Sequence, residues 1–136
     1  MTSPLAVSSR ASRLPPLPRI SGLLLHFTSL PGPGGCGDLG PEAHRFLEQL
    51  RRAGQRAWQV LPLGPTGYGD SPYQTASIFA GNPILVSPQG MVDDGILRPA
   101  DLAELPAASA HADYGAAQRV RFRLFEQAAT RLFGEG

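Results

Sequence analysis

Residues 41–63, PEAHRFLEQLRRAGQRAWQVLPL, encode a helix and then a strand in immediate succession. Pro41 suits the first position of a helix, and Gly54 suits its end. Between them, apolar residues recur at helical spacing and predict one buried face, made of Ala43, Phe46, Leu47, Leu50 and Ala53. The run 57–63 is short, apolar and continuous, which favours a strand that is covered on both faces.

The preceding segment adds a second strand. Residues 20–27 read ISGLLLHF, and this continuous apolar run predicts a strand at 22–27 that is also buried on both faces. A glycine-rich loop then leads to the helix at Pro41. Strand, helix and strand in succession predict a βαβ unit with parallel strands and a right-handed crossover.

The second half of the chain reads as mostly helical. Residues 84–87, ILVS, predict one more short extended run, and Ser87 and Pro88 have the chemistry to begin a helix that ends at Asp94 and Gly95. A further turn is expected at 99–105. Asp113 is a suitable N-cap for an amphipathic helix to Phe133, with an apolar stripe at Ala117, Val120, Leu124, Ala128 and Leu132.

Composition excludes several classes of function. The chain has 136 residues, a formal charge of +1 and one cysteine, Cys36. The charge pattern lacks the basic patch of a nucleic-acid-binding protein, and one cysteine forms neither an internal disulfide nor a multi-cysteine zinc site. Apolar runs are far shorter than the roughly 20 residues of a spanning helix, so no membrane partner is expected. A reducing compartment, the cytoplasm, fits this composition.

Residues 1–18 contain serine, arginine and proline but no acid. We expect a disordered leader, and a transit peptide ranks second because Pro15, Pro16 and Pro18 would interrupt an amphipathic helix.

Other candidate sites are weak. Gly32, Gly34 and Gly37 have the spacing of a dinucleotide fingerprint, but Pro33 removes a donor and no acid follows the second strand, so we interpret this loop as a structural turn. His26 could be an acid or base, or a hydrogen-bonded core residue, and the second is favoured. The three histidines lack metal-ligand spacing. No metal and no cofactor is expected.

The most informative segment follows the second strand. Residues 61–83 read LPLGPTGYGDSPYQTASIFAGNP, and we call residues 63–83 the tyrosine loop. Tyr68 and Tyr73 are amphipathic rings that could stack on a sugar face, or they could be core residues of a packed loop. The position of the loop favours the first interpretation, because ligands bind where loops leave the carboxyl ends of parallel strands.

This loop, together with residues 21–63, closely resembles the N-terminal part of amylomaltases, the bacterial 4-α-glucanotransferases also called disproportionating enzymes. The resemblance is nearly continuous over residues 19–87 and looser to Phe133. It implies an α/β fold, a partial (β/α)8 TIM barrel: the first two strands with their connecting helix in residues 19–87, and the start of an inserted helical subdomain in residues 88–136.

The resemblance also implies an activity and its ligands. Amylomaltases transfer segments of α-1,4-glucans, such as maltose, maltodextrins and pieces of starch or glycogen, with retention of configuration. By resemblance, Tyr73 packs on the sugar at the cleavage site, Ser71 contacts glucan beside it, and Tyr68 belongs to a further glucan site. Asp70 and Gln74 match the motif and are expected to shape the loop and to bond sugar hydroxyls.

No catalytic residue is assigned in this chain, because a complete barrel takes roughly 250 residues and the family's catalytic carboxylates lie on later strands. We therefore expect this chain alone to be inactive. Two alternatives stay open: a non-catalytic glucan-binding module, and a truncated reading frame that never folds.

Overall fold

Two short parallel strands joined by a helix form the first half of the structure. The computed structural model describes residues 18–134. Strand β1 is Gly22–Leu24 and strand β2 is Ala57–Gln59. They pair in parallel, with Gly22 opposite Ala57 and Leu24 opposite Gln59. The predicted parallel βαβ arrangement is therefore confirmed, whereas the hand of the crossover stays a prediction.

Three α-helices begin and end where the sequence predicts. Helix α1 is Pro41–Arg52, α2 is Pro88–Asp93 and α3 is Tyr114–Phe133. The side chains of Ser87 and Asp113 accept hydrogen bonds from backbone N–H groups in the first turns of α2 and α3, as N-caps do. Short 3₁₀ turns occupy Phe27–Ser29, Tyr68–Asp70, Pro83–Leu85 and Pro99–Leu102.

Both strands are shorter and more exposed than predicted. The expected spans 22–27 and 57–63 reduce to three residues each, and all of β1 is exposed. Within residues 18–134 no further strand pairs with either edge and no layer covers the exposed face of β1. The prediction of strands buried on both faces is wrong for this chain, since that burial needs neighbours beyond these two strands.

The predicted extended run at 84–87 is also wrong. Asn82 accepts a hydrogen bond from the Ile84 N–H through its side chain, at 3.2 Å, and a 3₁₀ turn follows. Ile84 and Leu85 are still buried, so their apolar character reflects the core and not a strand. An Asn-Pro pair favours this kind of turn.

The helices bury narrower faces than predicted. In α1, Ala43 and Leu50 are buried, whereas Leu47 and Ala53 are exposed. In α3 the middle of the stripe is buried and Leu132 is exposed. Two apolar clusters result: one of Cys36, Ile84 and Ala117 with Tyr114, and one of Leu97, Leu124 and Ala128 with flanking residues of α2 and the 99–105 segment.

Trp58 joins the strands to α1. Its ring centroid lies 4.7 Å from that of Phe27 and 4.9 Å from that of Phe46. Its indole N–H donates to the Leu25 carbonyl at 2.7 Å. One side chain of β2 thereby fixes the end of β1 and the middle of α1, and aromatic pairs at these distances are stabilising beyond the area they bury.

The glycine-rich loop is a structural turn, as predicted. Gly35 has a φ of +94°, and a Cβ at this position would lie 2.7 Å from both the Asp113 carbonyl oxygen and the Ala117 nitrogen. The Asp113 N–H donates to the Gly35 carbonyl at 2.7 Å. This glycine thus lets the loop touch the first turn of α3, which a side chain would prevent.

Candidate functional site

The tyrosine loop is closed at its base by a backbone hydrogen bond. The Asn82 N–H donates to the Leu63 carbonyl at 2.9 Å, and Asn82 itself is buried. Further along, the Thr75 hydroxyl donates to the Ser77 carbonyl at 3.0 Å. The loop is therefore ordered by its own polar contacts, as functional surface loops often are.

A tight turn lies inside the loop. The Gly67 N–H donates to the Ser71 carbonyl at 3.0 Å, and the Asp70 N–H donates to the Gly67 carbonyl at 3.1 Å. A Cβ added to Gly67 would overlap the Gln74 carbonyl oxygen. Gly69 and Asp70 both have positive φ, +64° and +56°. For a residue other than glycine this conformation is uncommon and is concentrated at turns and functional sites.

This turn places both tyrosine rings in solvent. Tyr68 is 90% exposed and Tyr73 is 71% exposed. The alternative of two core tyrosines is wrong, because neither ring packs in the interior. A single exposed aromatic ring is ordinary, but two amphipathic rings in one ordered loop form a surface suited to stacking on a sugar.

The polar members of the predicted site accompany these rings. Asp70 and Gln74 are exposed, and Ser71 is half-buried. The Ser71 Oγ accepts a hydrogen bond from the Tyr73 N–H at 3.3 Å, so its own proton is available to an external acceptor. The structure thus brings Tyr68, Asp70, Ser71, Tyr73 and Gln74 into one turn of one loop.

Sequence reasoning missed two neighbours in this loop. Ile78 and Phe79 are almost fully exposed, at 85% and 93%. Their signal was present in the sequence as an apolar pair inside a turn-rich segment, where no regular element could bury them. They are two further exposed apolar side chains of the tyrosine loop, outside the turn that carries the tyrosines.

A buried polar chain leads from the end of β1 to α3. The His26 Nδ1 lies 2.8 Å from the Thr28 Oγ1, and that hydroxyl lies 2.7 Å from the Tyr114 hydroxyl. Burial lowers the pKa of His26, and the Pro62 carbonyl partly opposes this shift. His26 is thus a hydrogen-bonded core residue, the favoured interpretation.

Arg121 is a second buried polar centre that the sequence pattern did not reveal. It is completely buried, and its guanidinium donates to the carbonyls of Cys36 and Ile84 and lies 3.2 Å from Asp38 Oδ2. Burial raises the pKa of Asp38, and Arg121 opposes that shift. This side chain fastens α3 to the glycine-rich loop and to residue 84, which is a structural role.

Other residue types provide no further chemistry. Burial raises the pKa of the Cys36 thiol, which makes it a poor nucleophile. Within residues 18–134, no group of three or more His, Cys, Asp or Glu side chains is placed to hold a metal ion. A surface cavity of about 360 Å³ lies between α1 and β2, lined partly by Leu47, Gln55 and Trp58, and contains no residue of the tyrosine loop.

Comparison with known proteins agrees with this geometry. The sequence profile described as 4-alpha-glucanotransferase matches residues 25–135. The chain belongs to the 4-alpha-glucanotransferase family. A 4-alpha-glucanotransferase of Thermus thermophilus is 63% identical over 82 residues, which cover 60% of this chain and 16% of that protein. One from Aquifex aeolicus is 48% identical over 94 residues, covering 68% and 19%.

A solved structure is also similar. Amylomaltase from Streptococcus agalactiae in complex with acarbose aligns with a TM-score of 0.79 and 36% identity, over 87% of this chain and 24% of that one. Against these 4-alpha-glucanotransferases and this amylomaltase, the chain therefore spans between 16% and 24% of their length. None of the helices found in the described residues is long and apolar enough to cross a membrane.

Proposed function

We propose that this chain supplies the first two strands of a (β/α)8 barrel in residues 19–87, and that residues 88–136 begin a helical insertion. The parallel pairing of β1 and β2 around α1 supports this proposal. The similarity to amylomaltase over 87% of the chain supports it as well. A complete barrel takes roughly 250 residues, so this unit would be one part of a larger fold. The expected leader, residues 1–18, lies outside the described residues apart from Pro18.

In that fold the tyrosine loop grips an α-1,4-glucan for a retaining 4-α-glucanotransferase. The observation that carries this proposal is the exposure of two tyrosine rings on an ordered loop that follows a parallel strand. Tyr73 packs on the sugar at the cleaved bond, and Tyr68 serves a further glucan site. Ser71, Asp70 and Gln74 bond sugar hydroxyls, with maltose, maltodextrins and pieces of starch or glycogen as ligands.

The bond exchange itself needs groups that the loop does not supply. Retention of configuration takes a carboxylate nucleophile and a carboxylic acid/base about 5 Å apart. The tyrosine loop contains one acid, Asp70. The nucleophile takes the glucosyl segment as the leaving sugar is protonated, and an acceptor hydroxyl then releases that segment. We assign both steps to carboxylates outside this chain. The reaction needs no cofactor, and we place it in the cytoplasm.

The single acid of the loop also favours a second candidate, a glucan-binding module without chemistry. Incubation of the purified 136-residue chain with maltotriose tests whether this chain has transferase activity. We expect no glucose, because one exposed carboxylate does not complete the pair. Glucose production would overturn the assignment of the catalytic acids to other segments.

Glucan contact by the loop is tested with Tyr73→Ala. Stacking on an aromatic ring is worth roughly 0.5–1.5 kcal/mol, so we expect about two- to twelvefold weaker binding of maltoheptaose to the 136-residue chain. Backbone amide shifts in an NMR titration measure this affinity.

Two controls accompany the titration. Ile78→Ala removes another exposed apolar side chain of the same loop and should leave the affinity within about twofold. Cellohexaose, a β-1,4-linked glucan, should not shift the loop amides. Equal losses in both variants, or equal binding of both glucans, would contradict sugar recognition by Tyr73.

A further inference from the structure

The surface cavity between α1 and β2 is a groove that takes no part in the tyrosine loop. It has a volume of about 360 Å³, and Leu47, Leu50, Ala57 and Trp58 form its apolar lining. Polar and charged side chains complete the lining: His44, Glu48, Arg51, Gln55 and Arg56. We call these residues together the α1–β2 groove.

One stripe of α1 forms a wall of the groove. The positions 44, 47, 48 and 51 follow the spacing i, i+3, i+4 and i+7, which places their side chains along one side of the helix. Leu47 lies in the middle of this stripe and is 55% exposed, next to the buried Leu50. The apolar surface of α1 is therefore wider than the part that this chain itself covers.

The acid on this stripe is already paired within α1. The Glu48 carboxylate accepts hydrogen bonds from the Arg51 Nε at 2.7 Å and from the Arg52 Nε at 2.9 Å. An apolar centre surrounded by polar side chains is the usual composition of a packing interface. An element that enters the groove thus meets apolar side chains and needs no cation for Glu48.

The groove lies on the side of β2 that faces away from β1. Ala57 and Trp58 of β2 line it, whereas none of residues 22–24 does. The sheet in residues 18–134 has two strands, so β2 has no second partner strand there. Helices α2 and α3 contribute no lining residue either. The helices that follow β2 in this chain therefore leave the groove open.

We propose that the α1–β2 groove is the docking surface for one helix, which belongs to the βα unit next to β2 in the complete fold. This inference rests on the proposed function, in which the chain supplies the first strands of a barrel. In such folds the crossovers are right-handed and the helices form one outer layer, so the next helix packs beside α1. The chain spans between 16% and 24% of the length of the compared relatives, so most of their fold lies outside the matched segment.

The accessibility of residue 47 tests this docking directly. We expect the thiol in Leu47→Cys of the 136-residue chain to react rapidly with a maleimide reagent, while the buried Cys36 reacts slowly. In full-length Streptococcus agalactiae amylomaltase, a cysteine at the aligned position should react about tenfold more slowly or less, because a helix covers it. Mass spectrometry of the modified peptides measures both rates.

Arg45→Cys is the matched control. Arg45 is exposed on α1 and does not line the groove. Its thiol should react at rates within about threefold of each other in the 136-residue chain and at the aligned position of the amylomaltase. Equally rapid reaction of the residue 47 thiol in the two proteins would overturn the proposal.

A charged substitution gives an independent measurement. Leu47→Asp should change the urea midpoint of the 136-residue chain by about 0.3 M or less, since substitutions at exposed positions have small effects. The same change at the aligned position of the amylomaltase should lower its thermal midpoint by about 3 °C or more, because it buries an unpaired carboxylate. An unchanged thermal midpoint would contradict docking of a helix in the groove.

Other occupants of the groove would give different results. Slow reaction of Leu47→Cys in the 136-residue chain at every concentration would show that a segment of this chain covers the groove. Slow reaction only at high concentration would show that a second copy occupies it. Either result would overturn the proposal. If the chain binds no maltoheptaose, the proposed glucan contact fails, whereas the ratio of the two labelling rates still decides whether a helix docks here.

Discussion

Arg121 shows how much one side chain can organise. Its guanidinium has no exposed surface and donates to three backbone carbonyls, those of Pro33, Cys36 and Ile84, and it also meets the Asp38 carboxylate. Removing one partner of a buried ion pair typically costs about 3–5 kcal/mol, because the other charge is left in a poor environment. The neighbouring arginine, Arg123, forms an exposed pair with Glu104 at 2.7 Å, and such pairs contribute little.

We therefore expect Arg121→Met to lower the free energy of unfolding by about 3–5 kcal/mol. Arg123→Met, the matched control on the same helix, should change it by about 0.5 kcal/mol or less. Urea unfolding followed by circular dichroism measures both values. Similar changes in the free energy of unfolding for the two variants would show that the buried contacts of Arg121 stabilise the fold no more than an exposed ion pair does.

This residue also shows where sequence analysis ends. Arg121 lies on the apolar stripe of α3, at i+4 from Ala117 and i−3 from Leu124, so helical spacing turns this position toward the core, where an arginine is rarely buried unless it is paired. Its burial depends on carbonyls more than 80 residues away in the chain, a partnership that periodicity does not encode. The same holds for Thr28 and Tyr114. The five candidate site residues of the tyrosine loop lie together in the structure because they fall within residues 68–74 of the sequence.

At the scale of elements, ends of helices were predicted well and strands poorly. Caps depend on local chemistry: Ser87 and Asp113 bond N–H groups within 3 residues of themselves. The extent and burial of β1 and β2 depend on neighbours that are distant in sequence. The sequence therefore predicted that each apolar run would form a paired strand, but it did not predict the length of the strand or which elements would cover it.

One contact between elements is sensitive to acid. Asp101 accepts from the Arg131 guanidinium of α3 at 2.5 and 3.0 Å. Hydrogen bonds from Arg131 and from the Arg98 N–H lower the pKa of Asp101 to about 2. This is below the value of roughly 3.9 in an unfolded chain, so the contact stabilises the fold above that pH and is lost as the pH falls toward 2.

Asp101→Asn should remove this part of the acid sensitivity. We expect the difference in urea midpoint between pH 5 and pH 2 to be smaller in Asp101→Asn than in wild type. Part of it should persist, since Arg51 and Arg52 lower the pKa of Glu48 to about 2. Asp94→Asn, a change at another exposed aspartate, is the control. An unchanged difference in the Asp101 variant would contradict the role of this pair.

At the scale of the whole molecule, large apolar side chains remain exposed to solvent. Leu23 and Leu24 of β1 are exposed, and the described residues leave a sheet edge unpaired. Exposed apolar strands with free edges promote association between chains. The 136-residue chain on its own should therefore self-associate as its concentration rises.

Leu24→Lys should reduce this self-association, because a charge on an edge strand opposes pairing. Leu132→Lys is a matched control, as Leu24 and Leu132 are both 57% exposed and Leu132 lies on α3. Sedimentation velocity over a range of concentrations measures the effect. Equal effects of the two lysines would show that general apolar exposure, and not the strand edge, drives association.

Trp58 gives the two halves of the molecule different optical signals. It is the one tryptophan in the chain, and its ring lies between Phe27 and Phe46 while its N–H bonds the Leu25 carbonyl. Its fluorescence therefore reports on the β1–α1–β2 unit alone, whereas the far-ultraviolet circular dichroism is weighted toward α3, a helix of 20 residues. If the denaturation curves from the two signals coincide, both halves unfold as one cooperative unit, and if they separate, the halves unfold independently.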